Sequence, residues 1–489
     1  MIAAFLRKTC ASLLVASSLL MAACTTAPGT GRTIFTGGLS EEGEVALGLQ
    51  EHPKVIAQFG GVYDDPALTG YISSLGELLV STSELPDLDF TFTVLDTPIV
   101  NAFALPGGYV YITRGLLALA QDEAEVAGVL AHEIGHVTAR HGAERHGQNL
   151  AAGIATMGLG LLGGQAAASA GGGIGAVVLK SYSRDQEFEA DMLGVRYLAR
   201  AGYDTRGMAE FLQQLQSHAR LEAEIAGQPG RADEFDIMQT HPRTTDRIEK
   251  AIAEAQVVKS GDPMTARRPY LKKIDNMLYG DDPKQGITVK RRFSHPDLRF
   301  TFEVPEGFRI INTPQQVVAR NGSGAVILFD QAKRANNQSM SAYLQKVWGK
   351  NTTLSNRESI DVNGLKGATA TARVDTRNGP RDFRLVAIAF DNKTIYRFLF
   401  ITPPDQTKDL GPALRETTHS FRKLSKKEAA AIKPLRLRLY KVQEGDTASE
   451  IAARFPFEDF KLERLAVING LGENPEIKVG QTIKIITQE

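Results

Sequence analysis

The sequence predicts a multidomain protein of the α+β class. With 489 residues the chain is too long for one hydrophobic core, so two to four domains are expected. Apolar residues with helical spacing dominate the first half, whereas alternating apolar residues typical of strands begin near residue 298. Residues 437–489 have a short pattern of their own. We therefore expect a mainly helical domain with a small sheet, then an α+β domain, then a small third domain.

Positive and negative side chains balance in this sequence. Lysine plus arginine and aspartate plus glutamate each number 56, which leaves a formal net charge of zero. Nucleic-acid binding normally requires an excess of positive charge on the domain that binds. The composition therefore argues against nucleic acid as a partner.

The first residues have the pattern of a secretory signal. Arg7 and Lys8 precede an apolar stretch, residues 13–23, that is too short to span a membrane as a mature helix. Residues 20–24, Leu-Met-Ala-Ala-Cys, resemble the lipobox of bacterial lipoproteins, in which the cysteine is acylated and becomes the new N-terminus. We expect residues 1–23 to be a signal peptide, with an ordinary secretory signal and an incidental cysteine as the alternative.

The cysteine content favours lipidation at Cys24. Cys10 and Cys24 are the only cysteines, so the processed chain would hold one cysteine and no intramolecular disulfide. Thr25, rather than an aspartate, follows Cys24, which by the same resemblance favours anchoring to the outer membrane on its periplasmic side. Residues 24–38, which open with a stretch rich in Thr, Pro and Gly, are expected to be a tether.

The mainly helical first domain is expected over residues 39–258. Helices are predicted after Ser40 and after Asp65. The second helix would place Leu68, Tyr71, Leu75 and Leu78 on one face. Residues 90–94 and 109–113 alternate as two strands.

Two later helices have clear ends. Asp122 can cap a helix that runs to Arg140, and Gly142 then acts as a stop signal. Ser183 and Gln186 form a capping box at the start of another helix.

The segment between these helices, residues 150–179, contains no charged side chain. Its length would allow a membrane span, but glycine and alanine dominate it. Closely packed helices of small residues are the favoured interpretation, and a span is the alternative.

The helix after Asp122 carries the motif His132-Glu133-Ile134-Gly135-His136. Residues four apart lie one helical turn above each other, so His132 and His136 can bind one metal ion. Glu133 is rotated toward the same cleft and could take a proton from a water on that metal. Since the surrounding helix is apolar, an unpaired imidazole there would be unfavourable, which argues against a chance pattern.

A zinc site needs a third protein ligand and one open position. His141 and His146 are too close in sequence to fold back from the same helix end. Glu187 is the better candidate, because Asp191 lies four residues on and one carboxylate can ligate while the other accepts a hydrogen bond from a histidine. Glu189 lies about 160° from Asp191 around the helix and is the less favoured ligand.

Several separated motifs occur here in the order and spacing of one known family. They are Asn101-Ala102-Phe103-Ala104-Leu105-Pro106-Gly107-Gly108, the His132 to His136 motif, Ser183-Arg184 leading to Glu187 and Asp191, and His241-Pro242 with Arg247-Ile248. Together they resemble the zinc peptidase family of the CAAX prenyl endopeptidases and the periplasmic β-barrel assembly-enhancing proteases, over residues 40–255. The soluble periplasmic branch fits better, because convincing spanning helices are not predicted.

The resemblance implies a gluzincin-type peptidase domain with one zinc ion per chain. His132, His136 and Glu187 would be its ligands, Glu133 the general base, and Asp191 a hydrogen-bonding partner of a ligand histidine.

The same resemblance implies a place for the substrate. The edge strand along which a peptide lies extended would consist of Asn101, Ala102, Phe103 and Ala104. His241 would reach the metal from a loop, either to stabilise the oxyanion or to plug the open position. The alternative for His241 is a capping role before Pro242.

An α+β domain of unknown role is expected over residues 286–424, between linkers at 259–285 and 425–436. Its strands are predicted at residues 298–304, 325–329, 383–390 and 394–401, and its helices near 339–350 and 410–421.

Residues 437–489 resemble a lysin-motif domain, a βααβ module that binds the glycan strands of peptidoglycan. The resemblance rests on the segment from Tyr440 to Thr447, on Asn469-Gly470-Leu471, and on Val479 to Ile483. Ala448 stands where a larger apolar residue usually follows, and Pro456 interrupts the region between the helices. Glycan binding and a purely packing role are therefore both open.

The predicted function is a zinc-dependent endopeptidase, lipid-anchored on the periplasmic side of a bacterial envelope. Its partners would be unfolded or misassembled envelope polypeptides, the membrane, and peptidoglycan if the third domain binds glycan. One alternative is a chaperone or assembly factor for outer-membrane proteins with a mostly latent protease site. Another is a peptidoglycan-tethered structural protein with a vestigial site, which the retention of Glu133 argues against.

Overall fold

The structure is a computed structural model that describes residues 24–162, 181–230, 247, 249–251, 253, 262–335, 338–376 and 379–489. Two compact units divide the chain. The first unit takes the described residues up to Tyr279, apart from Gln58–Gly60, together with Arg436–Thr487. The second unit takes Gly280–Leu435 with short pieces. The C-terminal segment, expected as a separate domain, thus packs within the first unit.

The first unit begins with a hairpin of two strands, β1 (Cys24–Thr26) and β2 (Thr33–Phe35). We call residues 24–35 the N-terminal hairpin. A tether was expected here, and that expectation is wrong for these residues. Ala27 is fully buried and Ile34 is 2% exposed, so the segment contributes apolar side chains to the core instead of remaining solvated.

Two helices follow the hairpin, α1 (Glu41–Gln58) and α2 (Pro66–Ser81). Asp65 caps α2 by accepting a hydrogen bond from the backbone N–H of Leu68 at 3.0 Å. Both predicted helices are confirmed. The buried face of α2 includes Leu68, Ile72, Leu75 and Leu79, whereas Leu78 is 42% exposed.

A three-stranded sheet stands beside these helices. Its strands are β3 (Thr91–Leu95), β4 (Ala102–Leu105) and β5 (Tyr109–Thr113). The order is β3-β5-β4, with β3 and β5 parallel and β4 and β5 antiparallel. β4 is therefore an edge strand of this sheet. Asn101, expected within the strand, lies just before it, and its carbonyl accepts a hydrogen bond from the backbone N–H of Thr113.

Six further helices complete the first part of this unit. They are α3 (Arg114–Leu119), α4 (Glu123–Thr138), α5 (His141–Leu162), α6 (Arg184–Arg200), α7 (Arg206–Ile225) and α8 (Arg267–Ile274), followed by strand β6 (Leu278–Tyr279). The last two elements fall in residues 259–285, where a linker was expected. That expectation is wrong because Tyr270, Leu271 and Ile274 are buried.

Most of the uncharged segment 150–179 lies outside the described residues, and its first residues form the end of α5. Among the described helices, none combines the length and the apolar character needed to cross a bilayer.

The second unit consists mainly of antiparallel strands. They are β7 (Ile287–Val289), β8 (Arg292–His295), β9 (Phe300–Glu303), β10 (Arg309–Asn312), β11 (Val317–Arg320), β12 (Val326–Lys333), β13 (Ser355–Val362), β14 (Leu365–Thr376), β15 (Gly379–Ala389), β16 (Thr394–Thr402) and β17 (Arg422–Lys423). Seven strands form one sheet in the order β10-β11-β12-β16-β15-β14-β13, and four form another in the order β17-β9-β8-β7.

The helices of this unit are α9 (Met340–Tyr343), which continues into a π-helical turn Leu344–Trp348, α10 (Thr407–Ser420) and α11 (Lys426–Ala431). An aromatic core that includes Phe300, Phe329, Phe398 and Phe421 joins the two sheets and α10. The expected mixture of strands and helices is confirmed. The segment 425–436, expected as a linker, contains α11.

The C-terminal segment folds as β18 (Leu435–Lys441), α12 (Ala448–Ala453), α13 (Lys461–Ile468) and β19 (Thr482–Gln488). This is the expected βααβ order. Its two strands pair with each other, and β6 is the third strand of their sheet, in the order β19-β18-β6. The Nζ atom of Lys484, a fully buried residue, lies 2.8–3.1 Å from the carbonyl oxygens of Ala118, Leu119 and Ala120 at the end of α3. The amino group thus satisfies carbonyls that the helix end leaves without intrahelical partners.

Candidate active site

Helix α4 carries the two histidines of the predicted metal site. Asp122 caps its start by accepting a hydrogen bond from the backbone N–H of Glu125 at 3.0 Å. His132, Glu133 and His136 lie on the buried part of this helix and are at most 4% exposed. Their burial removes competing water and favours partners within the protein.

Helix α6 supplies the carboxylates. Ser183 and Gln186 form the expected capping box at its start. Glu187 and Asp191, one turn apart, are 1% and 4% exposed. Both acids therefore face the interior rather than solvent.

The two helices bring three potential ligands together. His132 Nε2 and His136 Nε2 are 3.0 Å apart, and each lies 3.6 Å from an oxygen of Glu187. Ligand atoms of a tetrahedral zinc site are about 3.3 Å apart when the metal–ligand bonds are about 2.0 Å. The observed distances bracket this value, so the three side chains fit one metal ion. Among the described residues, His132, His136 and Glu187 form the group of metal-ligand side chains whose spacing would allow them to hold one metal ion.

Asp191 orients the first histidine. Its Oδ1 lies 2.9 Å from Nδ1 of His132, so Nδ1 can donate a proton while Nε2 directs its lone pair toward Glu187. Arg247 holds Asp191 with two contacts of 2.7 and 2.8 Å and also reaches Glu187 at 2.6 Å. Burial alone would raise the pKa of Asp191, but the charge and hydrogen bonds of Arg247 keep that pKa well below its usual range. Asp191 is therefore charged at neutral pH.

The second histidine has a different partner. Nδ1 of His136 lies 2.8 Å from Nδ1 of His141, and Nε2 of His141 lies 3.1 Å from Oε2 of Glu189. Glu189 in turn lies 3.1 Å from a guanidinium nitrogen of Arg32 in the N-terminal hairpin. We call His136, His141, Glu189 and Arg32 the polar chain.

His141 does fold back to His136 despite their short separation in sequence, but it is not in the group of His132, His136 and Glu187, in agreement with the expectation that it is not the third ligand. Helix α4 ends at Thr138, and Arg140 adopts a left-handed backbone with φ 54°, which turns the chain into α5. The Arg140 side chain holds this turn by donating to Glu44 at 2.9 Å. Gly142 is required nearby, because a Cβ atom there would lie 2.9 Å from Pro106.

Glu189 is charged as well. Burial would raise its pKa, but hydrogen bonds from His141 and Thr30 and the neighbouring Arg32 lower that pKa to about 2. Glu189 is not in the group of His132, His136 and Glu187, in agreement with its expected position on another side of the helix.

Two parts of the chain match known protein families. Residues 66–255 match peptidase family M48, and residues 440–485 match the LysM domain. We call these two matching segments the M48 domain and the LysM domain.

Similar proteins include the beta-barrel assembly-enhancing proteases of Yersinia pestis and Escherichia coli strain K12. The first is 32% identical over 48% of this chain and 48% of its own length, and the second is 32% identical over 43% of each. The mitochondrial metalloendopeptidase OMA1 of Arabidopsis thaliana is 34% identical over 37% of this chain and 34% of its own. The chain thus matches less than half the length of each of these curated relatives.

An aromatic residue of the M48 domain that was not among the predicted site residues lies against the site. The ring of Tyr182 stacks on His136 with centroids 3.9 Å apart and an interplanar angle of 18°. The guanidinium carbon of Arg145 lies 4.0 Å from the centre of the same ring. Tyr182 immediately precedes the capping residue Ser183, a position where apolar residues often pack against the helix, and this was the available signal.

A cavity of about 300 Å³ opens beside His136 in the M48 domain. Its walls include Pro28 of the N-terminal hairpin, Ala104 and Leu105 of β4, Arg140, and Tyr182. The expected substrate strand thus borders a space large enough for a side chain. Asn101, Ala102, Phe103 and Ala104 themselves are all at most 7% exposed.

The other residues predicted from the sequence that the structure describes do not lie in the group of His132, His136 and Glu187. Cys24 is exposed at the start of β1. His241 and Pro242 lie outside the described residues. Arg247, for which the Arg247-Ile248 motif predicted no role, contacts both Asp191 and Glu187.

Proposed function

We propose that this chain is a zinc-dependent endopeptidase of the bacterial envelope that acts on unfolded or misassembled envelope polypeptides. The observation that carries the proposal is the buried group of His132, His136 and Glu187, with Glu133 adjacent to the first histidine. The M48 domain and the names of the relatives support the same reaction class and setting.

The residues divide the chemistry between them. When bound, zinc supplies Lewis-acid chemistry that acidifies water and polarises a peptide carbonyl. Glu133 takes the proton of the attacking water and then gives it to the leaving amine. Asp191 and Arg247 keep His132 in the tautomer whose Nε2 lone pair is available. The burial of Glu133 keeps bulk water from competing for its proton.

Metal analysis combined with Glu133→Gln tests the proposal. We expect about one zinc per chain, retained in Glu133→Gln but lost in His132→Ala and Glu187→Ala. Hydrolysis of an unstructured protein should disappear in Glu133→Gln. The control Glu77→Gln changes an exposed glutamate of α2 and should retain zinc and activity. Normal hydrolysis by Glu133→Gln, or a wild-type chain that binds no zinc, would disprove the mechanism.

The substrate peptide is proposed to lie along β4 by pairing backbone to backbone. An edge position in the sheet and the adjoining cavity support this proposal. Residues 101–104 would then provide backbone contacts and the cavity would accept a substrate side chain.

For His241 we propose the plug role, in which it occupies the open metal position until substrate arrives. A protease among unfolded precursors needs restraint on cleavage. His241→Ala should then raise turnover of an unstructured substrate at equal zinc content. A residue that only stabilises the oxyanion would give the opposite result, because loss of a preorganised donor lowers turnover.

The proposed location is the periplasmic side of the outer membrane, with Cys24 as the acylated residue. The exposure of Cys24 leaves room for a lipid at the start of the N-terminal hairpin. Cys24→Ser should leave the membrane fraction or persist as a precursor. Native attachment of that variant would contradict lipidation at Cys24.

The LysM domain is proposed to bind peptidoglycan glycan strands. Its loops around Gly445 and residues 472–474 are exposed, so they are accessible to a polymer. Sedimentation of the full chain with purified peptidoglycan tests binding, and a purely packing role predicts none.

A further inference from the structure

We propose that the N-terminal hairpin positions a metal ligand of the M48 domain. Arg32 orients Glu189, Glu189 orients His141, and His141 holds His136 in the tautomer that can bind metal. The inference rests on the proposed function, since it assigns His136 as a ligand. It adds His141, Glu189 and Arg32 as positioning residues.

The protonation states along the polar chain follow from its donors and acceptors. A carboxylate only accepts hydrogen bonds, so Nε2 of His141 must donate its proton to Glu189. Nδ1 of a neutral His141 is then an acceptor, and the neighbouring Nδ1 of His136 must donate to it. The lone pair of His136 is left on Nε2, which lies 3.0 Å from Nε2 of His132.

His132 and His136 therefore adopt the same tautomer, with the lone pair on Nε2, but through different hydrogen-bond partners. His132 contacts the carboxylate of Asp191 directly, whereas His136 contacts that of Glu189 through His141. A ligand histidine normally donates its second ring N–H to such a partner, which fixes both tautomer and ring orientation. His141 is fully buried, so water does not replace it in this role.

The N-terminal hairpin contributes the last residue of the polar chain, Arg32, which contacts both α5 and α6. The Arg32 guanidinium contacts Glu189 of α6 at 3.1 Å and Glu144 of α5 at 2.8 and 2.9 Å. Thr30 also donates to Glu189. The hairpin backbone is fixed as well, because Gly29 N–H donates to the carbonyl of Thr138 at 2.9 Å. Arg32 is thus held against the helix that carries Glu187.

Zinc affinity tests the proposal without relying on activity. The full chain is prepared with Glu133→Gln to prevent self-cleavage, and zinc is titrated against a chromogenic chelator. His141→Leu should weaken zinc binding about 10- to 100-fold, the usual effect of losing such a partner. His141→Asn should restore most of the affinity, since its Oδ1 can still accept from His136. Glu189→Ala should weaken binding about tenfold.

Two matched controls separate positioning from general loosening. Glu84→Ala removes another carboxylate that binds arginines of α6, and Arg196→Met removes an arginine that contacts the hairpin at Gly29. The Arg196 side chain is 37% exposed and that of Arg32 is 39% exposed. Glu84→Ala and Arg196→Met should leave zinc affinity unchanged, whereas Arg32→Met should lower it several-fold.

The outcomes distinguish this inference from the proposed function. A wild-type chain without zinc binding would overturn both. Normal zinc binding in wild type together with normal affinity in His141→Leu and Glu189→Ala would overturn only the positioning role. Equal losses in Glu189→Ala and Glu84→Ala would also overturn it. If His141→Leu does not fold, Glu189→Ala and Arg32→Met decide, because both positions are partly exposed.

Discussion

The two ends of the described chain are built into the same unit by different interactions. At the N-terminal end, Arg32 keeps 39% of its side chain exposed and contacts the carboxylates of Glu144 and Glu189. At the C-terminal end, Lys484 is fully buried against backbone carbonyls of α3. Partly exposed ion pairs contribute about 1 kcal/mol or less, whereas a buried charge or polar group that loses its partners costs several times more. We infer that the LysM domain supports stability and the hairpin supports site geometry.

The largest expected effect is that of Lys484→Met. The substitution leaves the carbonyls of Ala118 and Ala120 without this donor and removes the amino group that faces buried Glu125. The carbonyl of Leu119 loses one donor but still accepts a hydrogen bond from Gln121. We expect a loss of about 3 to 5 kcal/mol in the free energy of unfolding, measured by urea denaturation. Lys478→Met, at an exposed position of the same domain, should change it little. Zinc affinity of the folded fraction should be unchanged, and a loss of affinity would contradict the division of roles.

Asn469→Ala should have the next largest effect. The buried Asn469 amide donates to the carbonyls of Leu465 and Lys484 and accepts from the backbone N–H of Lys484. Its loss leaves buried groups unsatisfied, for an expected cost of about 2 kcal/mol.

The exposed Asn474 provides the control, since Asn474→Ala should be nearly neutral. Because Asn469 bonds to the residue that anchors the domain, the double variant with Lys484→Met should lose less than the sum of the single variants. Strict additivity would show that the domain is anchored independently of Asn469.

Sequence patterns predicted the helix ends and ligand spacings that depend on contacts between residues close together in the chain. The cap of α4 by Asp122, the capping box at Ser183 and the one-turn spacings of the histidines and acids all involve residues at most four positions apart. These spacings also anticipated that Glu187, rather than Glu189, would join the two histidines.

The missed features depend on distant partners. The turn at Arg140 is held by Glu44, 96 positions away, and Lys484 binds Ala118 across 366 positions. A threonine- and proline-rich segment has no periodic apolar pattern, so the burial of the N-terminal hairpin could not be read from it. Such contacts are set by tertiary packing, which local propensity does not encode.

Arg32→Met should have a small effect on stability. Its ion pairs are screened by solvent, so the expected loss is about 1 kcal/mol or less at low salt and smaller at high salt. Urea denaturation of the metal-free chain at two ionic strengths measures both values. A loss as large as that of Lys484→Met would remove the contrast between the two ends of the chain.

The smallest expected effect is the pH dependence of the contribution from Arg32. The folded-state pKa of Glu189 is about 2, below the ordinary 4.5, and the pKa of Glu144 is also lowered, chiefly by its hydrogen bond from Arg32. An acid with a depressed pKa stabilises the fold fully above its unfolded value and loses that contribution as pH falls toward its folded value. The stability difference between wild type and Arg32→Met should therefore be constant above pH 4.5 and shrink between 4.5 and about 2. Measurements on chelator-treated protein keep metal release from contributing. The difference for Lys484→Met should persist over the same range, because backbone carbonyls do not titrate and burial raises the pKa of the facing Glu125 to about 8, above this range. A parallel decline of both differences would show that acid weakens the whole unit rather than the hairpin contacts.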